Sequence, residues 1–130
     1  MIPRYRAWDS WRKRMSVVDR IYIDTEGVRL YDDFGEYWRN FRDIELMQST
    51  GLRDKNGKEI FEGDILDYKG RKALVRWHGS YASFIYRFVD ELQNRNTEWK
   101  PLYLAYMKCE IIGNIYENPE LLEAIKWTQK

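Results

Sequence analysis

Two closely spaced turn signals near the middle of the chain constrain its fold more than any other feature. Asn56-Gly57 is the dipeptide that most readily adopts positive φ at both centres of a tight hairpin turn. Gly63-Asp64 marks a second turn, in which the aspartate is expected to accept backbone N–H bonds. Two chain reversals so close together predict a small antiparallel sheet. We therefore interpret all four residues as structural.

The composition predicts a soluble globular chain built around large aromatic side chains. The 130 residues suffice for one compact domain, or for one domain with an extended arm. Aromatic residues make up 16% of the sequence, so many rings are expected to lie half-buried on sheet faces or at an interface. The 22 basic and 21 acidic residues nearly cancel, so no global field attracts nucleic acid. No apolar run reaches membrane-spanning length, and no membrane partner is expected.

Alternating apolar and polar residues, interrupted by turn formers, predict a mainly β chain. Tyr5 and Ala7 share one side of a first strand, and the β-branched run around Val17 favours a second, which gives an N-terminal hairpin. The predicted strands cover residues 4–8, 15–23, 44–48, 64–68, 73–77, 81–89, 102–107 and 110–116. Short strands separated by turns are typical of an all-β barrel or sandwich.

Two segments carry helical signals instead. Phe34, Trp38 and Phe41 follow an i, i+4, i+7 pattern, although a glycine directly after the first of them opposes a helix. Near the C-terminal end, Asn118 is a favourable N-cap that is followed by proline and by an apolar stripe. We predict one helix through the three aromatic residues and a short C-terminal helix over residues 118–127.

Three blocks of the sequence resemble the YopX family. They are Tyr5–Asp9, Met47–Ile65 and Ile112–Leu122, so they lie at the beginning, middle and end of the chain. The longest reads Met-Gln-Ser-Thr-Gly-Leu-Arg-Asp-Lys-Asn-Gly-Lys-Glu-Ile-Phe-Glu-Gly-Asp-Ile. The resemblance implies a mainly β fold with an SH3-like barrel. It also implies a protein of bacteriophages and prophages that is expressed in the bacterial host cytoplasm, and it supplies no catalytic residue.

The resemblance and the strand pattern together predict two regions. Residues 1–46 are expected to form the N-terminal β-hairpin and a variable aromatic and charged segment that packs on the barrel. Residues 47–130 are expected to form the SH3-like β-barrel with the C-terminal helix. The segments 24–43 and 78–102 depart from the family pattern. A partner particular to this chain is therefore expected to bind there.

The sequence lacks a recognisable catalytic constellation, so no enzyme is expected. Cys109 and His78 are the single cysteine and the single histidine, and Cys109, just before an apolar strand, is interpreted as a structural thiol. One imidazole without a tight set of carboxylates seldom holds a metal. The acidic group Asp32, Asp33 and Glu36 lacks the ligand spacing of a calcium loop. We predict neither a metal nor a cofactor.

Two basic segments interleave cations with aromatic rings. Residues 4–14 carry five cations against one acid, and residues 69–78 carry four cations and no acid. Such segments suit phosphate contact and base stacking. The same cations can instead pair with neighbouring acids or cover aromatic rings, which requires no ligand. The candidate contacts to nucleic acid or to a protein partner are Arg4, Arg6, Trp8, Trp11, Arg12, Lys13, Arg71, Lys72, Arg76 and Trp77.

Two functions of different classes remain open at this point. The first is a phage-encoded accessory or regulatory protein that binds a host or phage protein, or copies of itself, through an aromatic sheet face. The alternative is a nucleic-acid-binding module that uses the two basic segments and binds in a strongly salt-dependent manner. The sequence leaves open whether those segments share one face.

Overall fold

The computed structural model describes residues 4–94 and 98–127. The chain divides after Ser49 into two compact units. Within the described ranges, eleven β-strands are joined by turns and by 3₁₀ segments, and no α-helix is present. None of the helical segments in these ranges is long and apolar enough to cross a membrane.

The N-terminal unit is an antiparallel sheet in which successive strands are joined by short turns. Its strands are β1 (Tyr5–Asp9), β2 (Arg14–Tyr22), β3 (Gly27–Asp32), β4 (Gly35–Asn40) and β5 (Ile44–Arg53). A 3₁₀ turn, Phe41–Asp43, joins β4 to β5. The first four strands follow one another across the sheet, and β5 returns to the free side of β1. The strand β4 therefore lies at an edge of this sheet.

Alternation along these strands separates a buried face from an open one. The core cluster on the buried face consists of Ala7, Val28, Leu30 and Ile44. Val17 and Tyr31 pair directly across β2 and β3 on the opposite face, where they are 45% and 42% exposed. This unit thus presents aromatic and apolar side chains to solvent from an ordered sheet.

The helix predicted through Phe34, Trp38 and Phe41 is wrong. Residues 33 and 34 form the turn of a β3–β4 hairpin, in which Asp32 Oδ1 accepts the Phe34 N–H at 2.8 Å. Gly35 follows at φ +126°, a backbone conformation that L side chains rarely adopt. This turn chemistry outweighs the helical spacing, because residues four apart also share a face in a strand.

The second unit holds the last residues of β5, the short strand β6 (Glu59–Phe61) and a five-stranded antiparallel sheet. The strands of that sheet are β7 (Asp64–Tyr68), β8 (Arg71–His78), β9 (Ser83–Phe88), β10 (Lys100–Pro101) and β11 (Cys109–Asn114), in the order β10-β9-β8-β7-β11. The 3₁₀ segments are Gly79–Tyr81, Val89–Glu91, Leu102–Leu104, Tyr106–Lys108 and Pro119–Trp127. Its core includes Ile60, Leu66, Val75, Phe88 and Leu102.

The Asn56-Gly57 turn differs from the predicted geometry at one residue. Gly57 has φ +83°, whereas Asn56 is not among the described residues with positive φ. The Gly57 N–H donates to the Asp54 carbonyl at 3.0 Å, and the Asp54 N–H donates to the Lys58 carbonyl at 2.8 Å. This pattern is typical of a three-residue hairpin loop that ends in a left-handed glycine.

The Gly63-Asp64 turn precedes β7 and is held by hydrogen bonds to backbone groups. Gly63 has φ +88°, and its N–H donates to the Val75 carbonyl at 2.9 Å. The side chain of Asp64 is almost completely buried, and its Oδ2 accepts the Phe61 N–H at 2.8 Å. The aspartate therefore stabilises the turn through backbone hydrogen bonding.

The mainly β prediction is confirmed, but the predicted SH3-like barrel is not. The described residues form two antiparallel sheets with edge strands instead of a closed barrel. The strand predicted over residues 102–107 consists of two 3₁₀ turns. The predicted C-terminal helix is a 3₁₀ segment, in which the Leu121 N–H donates to the Asn118 carbonyl at 3.1 Å. The Asn118 side chain accepts the N–H of Asn114 at 3.2 Å instead of capping a helix.

Candidate functional site

The β1–β2 turn carries an exposed tryptophan, and its backbone is hydrogen-bonded to Asp9. Asp9 is completely buried, and its Oδ1 accepts the N–H groups of Trp11 at 2.9 Å and Arg12 at 3.2 Å. The Asp9 carbonyl accepts the Lys13 N–H at 2.8 Å, and Lys13 itself has φ +55°. Trp11 nevertheless remains 73% exposed. The aspartate therefore fixes the turn while leaving the indole free to contact another molecule.

An ion pair connects this turn to the edge strand β4. Arg39 Nε lies 3.1 Å from Asp9 Oδ2, and the Asp9 carboxylate has no exposed surface. The same guanidinium lies over the Tyr37 ring and donates through Nη1 to the Trp38 carbonyl at 2.9 Å. The buried Asp9 carboxylate thus fixes the turn that carries Trp11. It also forms an ion pair with Arg39, which lies on the same strand as Trp38.

Trp38 is the second indole of this region, and a glycine makes room for it. The rings of Trp38 and Tyr22 lie with their centroids 5.4 Å apart. A Cβ atom added at Gly27 would overlap the Trp38 ring, so no larger residue fits at that position without moving the indole. Trp38 is 37% exposed, so part of its ring remains available on the surface.

Trp11 and Trp38 line one cleft, which we call the tryptophan cleft. It has a volume of about 250 Å³ and is lined by Trp11, Trp38, Arg39, Asn40, Arg42 and Asp43. A second cavity of about 340 Å³ is lined by Thr25, Glu26, Asn40, Phe41 and Arg42. Because Asn40 and Arg42 line both cavities, we treat the two as one groove that begins at the indoles and ends beside Thr25. The larger of the two cavities lies at the lower end of the size range of ligand pockets.

The groove carries charges of both signs. The positive charge of Arg39 is compensated by the buried Asp9 carboxylate. Arg42 is exposed, and no described carboxylate lies within ion-pair distance of its guanidinium. Asp43 and Glu26 contribute negative charge to the lining. The site therefore combines aromatic walls, one cation without an ion-pair partner among the described residues and little net charge.

The comparison with known proteins agrees with the sequence resemblance. The sequence model of the family described as YopX protein matches residues 4–123. This chain belongs to the YopX family. It is also similar to a solved structure, the crystal structure of protein EF1440 from Enterococcus faecalis, with 28% sequence identity and a TM-score of 0.58 over 94% of this chain and 99% of that one. No curated protein matches it.

In this YopX family member, most predicted contacts of the first basic segment already have partners. Arg12 Nη1 and Arg14 Nε lie 3.5 and 3.7 Å from the same oxygen of Asp32. The Arg12 guanidinium also lies 4.7 Å from the centroid of the Tyr37 ring. Arg4, Arg6 and Trp8 each have a polar or ring partner as well. Of the predicted set in this segment, Trp11 is the residue that lines the cleft, whereas Lys13 is exposed and does not line it.

Arg71 in the second basic segment is held by acids and by an aromatic ring. Its Nη2 lies 2.7 Å from Asp90 Oδ1 and 2.8 Å from Glu91 Oε1. Its guanidinium carbon lies 3.7 Å from the centroid of the Phe88 ring. Hydrogen bonds to Asp90 and then to Glu91 raise the pKa of Arg71. This predicted phosphate contact is therefore already neutralised within its own unit.

The other predicted contacts of this segment are less constrained. Lys72 lies opposite Asp67 on the neighbouring strand. Arg76 is exposed and lies opposite Ile85. Trp77 meets the Phe84 ring edge-on with centroids 5.0 Å apart and is 44% exposed. The two basic segments lie in different units.

Cys109, the single cysteine, belongs to a hydrophobic core, and His78, the single histidine, stacks on an aromatic ring. Cys109 is buried, its S–H donates to the Ala105 carbonyl at 3.3 Å, and burial raises its pKa to about 11. Such a thiol is a poor nucleophile at neutral pH. His78 stacks on Tyr81 with ring centroids 4.2 Å apart. Over the described residues, no three acidic, cysteine or histidine side chains form a metal-binding group.

Sequence reasoning missed Trp38, Arg39 and Arg42, which line the cleft with Trp11. The predicted helix placed Trp38 on an apolar helical face and therefore away from any edge strand. The Asp32 and Gly35 turn signal could have revealed the β3–β4 hairpin. Nothing local indicates that this hairpin brings Trp38 beside the β1–β2 turn, because that depends on the strand order of the sheet.

Proposed function

We propose that this YopX family member is a phage-encoded accessory or regulatory protein that acts by binding another protein through the tryptophan cleft. The observation that carries the proposal is the 73% exposure of Trp11 on a turn that the buried Asp9 holds in place. A large exposed ring on a preorganised backbone loses little entropy on binding. Tryptophan and arginine are also the residues that dominate binding energy at protein interfaces.

The charge distribution favours a protein partner over a nucleic acid. Binding to a phosphate backbone depends on cations that neutralise phosphates. Arg12, Arg14 and Arg71 are paired with acids, and Asp43 and Glu26 line the groove. These carboxylates would repel a polyanion, whereas mixed charges suit the rim of a protein interface.

The experiment is a capture step followed by a quantitative titration. The full chain is immobilised, proteins from the bacterial host are captured and identified, and each purified candidate is titrated by calorimetry against wild type, Trp11→Ala and Tyr103→Ala. Tyr103 is 61% exposed and lies outside the groove, so it serves as a matched control. We expect Trp11→Ala to weaken binding at least about tenfold and Tyr103→Ala to leave it unchanged. A partner that binds all three proteins equally would overturn the assignment of the cleft.

A second candidate function, nucleic-acid binding through residues 69–78, is favoured by one observation. Arg76 is exposed and has no ion-pair partner among the described residues, and it directly precedes the 44% exposed Trp77. The test is fluorescence anisotropy of labelled DNA and RNA at low and near-physiological salt. Affinity that falls steeply with salt and is lost in Arg76→Glu would support this function. Absence of binding at low salt, where screening is weakest, would exclude it.

A further inference from the structure

We infer that the ligand of the groove is an extended peptide segment that places an apolar side chain between Trp11 and Trp38 and a carboxylate on Arg42. This inference rests on the proposed protein-binding function and adds the chemistry of the partner. The partner segment is thus expected to be an exposed loop or terminus of another protein rather than a folded surface.

The aromatic end of the groove defines the apolar requirement. Trp11 and Trp38 both line the 250 Å³ cleft while exposing 73% and 37% of their surfaces. Indole rings gain most when an apolar group displaces water from them, and they dominate interface energetics for that reason. Aromatic-lined grooves recognise extended peptides in other small domains. An aliphatic or proline side chain is the matching ligand group.

The middle of the groove defines the requirement for an acid. Arg42 lines both cavities and lacks an ion-pair partner among the described residues, whereas Arg39 is already compensated by Asp9. A guanidinium pairs best with a carboxylate or a phosphate, through two parallel hydrogen bonds. Because Asp43 and Glu26 lie nearby, one isolated carboxylate is tolerated better than a chain of phosphates.

The shape of the groove favours an extended segment. The two cavities share Asn40 and Arg42 in their lining, and the second is also lined by Phe41 and Thr25. The side chains of Asn40 and Thr25 offer hydrogen-bond groups that match a peptide backbone. A segment that lies along this path would pass the apolar end first and Arg42 next, so its two recognition residues lie close together in sequence.

The experiment is selection of peptides from a random display library on the immobilised full chain. Selected peptides are synthesised with a fluorophore and titrated by anisotropy against wild type, Trp11→Ala, Arg42→Gln and the control Tyr103→Ala. Each peptide is also made with its acidic residue replaced by the corresponding amide. We expect selected peptides to share an apolar residue near an acidic one, and to lose about tenfold or more in affinity with Arg42→Gln. The amide peptides should bind wild type and Arg42→Gln equally.

The outcomes separate the peptide inference from the proposed function. If Arg42→Gln weakened the binding of acidic and amide peptides equally, the pairing of a ligand carboxylate with Arg42 would be overturned. Failure to select any peptide that depends on Trp11, while a captured protein does depend on Trp11, would overturn the peptide inference and leave the proposed function intact. Displacement of the selected peptides by adenosine monophosphate or by a short oligonucleotide would overturn it in favour of a nucleotide ligand.

Discussion

Replacement of Asp54 is expected to destabilise the second unit strongly, because its buried carboxylate accepts three backbone N–H groups. Oδ1 accepts from Asn56 and Lys58, each at 2.9 Å, and Oδ2 accepts from Ile111 at 2.9 Å. Asp54 is only 5% exposed. The side chain therefore joins the turn after β5 to the edge strand β11, and its loss would leave donors without partners.

The size of this destabilisation follows from the number of hydrogen bonds lost and from the solvent exposure of their donors. A hydrogen bond to a charged group contributes roughly 1.5–3 kcal/mol, and bonds that share one carboxylate are not additive. Asn56 and Lys58 are exposed, so water can solvate their N–H groups after truncation, whereas Ile111 is half-buried. We expect Asp54→Ala to lower the free energy of unfolding by about 3 kcal/mol. The control Asp67→Ala removes one exposed bond, to the Gly70 N–H at 3.0 Å, and should cost about 0.5–1 kcal/mol.

The same carboxylate gives the stability a defined pH dependence. Burial alone would raise the pKa of Asp54, but the N–H donors of Ile111, Lys58 and Asn56 outweigh burial and hold the pKa below its ordinary value of 3.8. A depressed folded-state pKa contributes stability that is present above the unfolded pKa and is lost as the pH falls through the folded value. The destabilisation by Asp54→Asn should therefore be complete at pH 7 and shrink below about pH 4.

Urea unfolding at pH 7 and at lower pH, followed by tryptophan fluorescence and circular dichroism, measures these differences. If Asp54→Ala lowered the free energy of unfolding no more than Asp67→Ala does, the three backbone hydrogen bonds of Asp54 would not be a major source of stability. A gap between wild type and Asp54→Asn that stays constant as the pH falls would refute the role of the ionised carboxylate.

Three further predictions concern the cleft and the thiol. Gly27→Val should displace the Trp38 indole, since a Cβ there overlaps that ring; a shifted tryptophan emission with an unchanged far-UV spectrum would show this, and an unchanged emission would contradict it. Asp9→Asn should lower the free energy of unfolding by about 1–3 kcal/mol in urea titrations, because it breaks a buried ion pair, whereas the exposed Asp24→Asn should change it by less than about 0.5 kcal/mol. Burial raises the pKa of Cys109 to about 11, so iodoacetamide at pH 8 should modify it only after denaturation; mass spectrometry that finds rapid modification of the native chain would contradict this.

Much of the sheet could be predicted from local sequence because the turns carry their own chemistry. Gly57 and Gly63 adopt the positive φ that their positions require, and Asp64 accepts a backbone N–H as its place after a glycine suggests. The strands between such turns follow from alternation. The helix prediction around Phe34 was wrong because residues four apart share a face both in a helix and in a strand. Only the turn residues distinguish the two structures there.

The cleft could not be predicted, because its parts meet through strand order and one buried ion pair. Trp11 lies on the β1–β2 turn and Trp38 on β4, and these elements are brought together by the antiparallel arrangement of the sheet. The partner of Asp9 is Arg39, far along the chain. Sequence reasoning selected Trp11 from its basic surroundings, but two of those cations, Arg12 and Arg14, lie within ion-pair distance of Asp32.

Photocrosslinking from the cleft, in bacterial cells that express the chain, tests directly whether the tryptophan cleft binds a protein. The photoreactive residue p-benzoylphenylalanine is placed at the position of Trp11, and in a control chain at the position of Tyr103, both of which are well exposed. We expect a light-dependent covalent adduct with a protein from the cleft position and none from the control position. Absence of an adduct at the cleft, an equal adduct at both positions, or an adduct with nucleic acid would contradict this expectation.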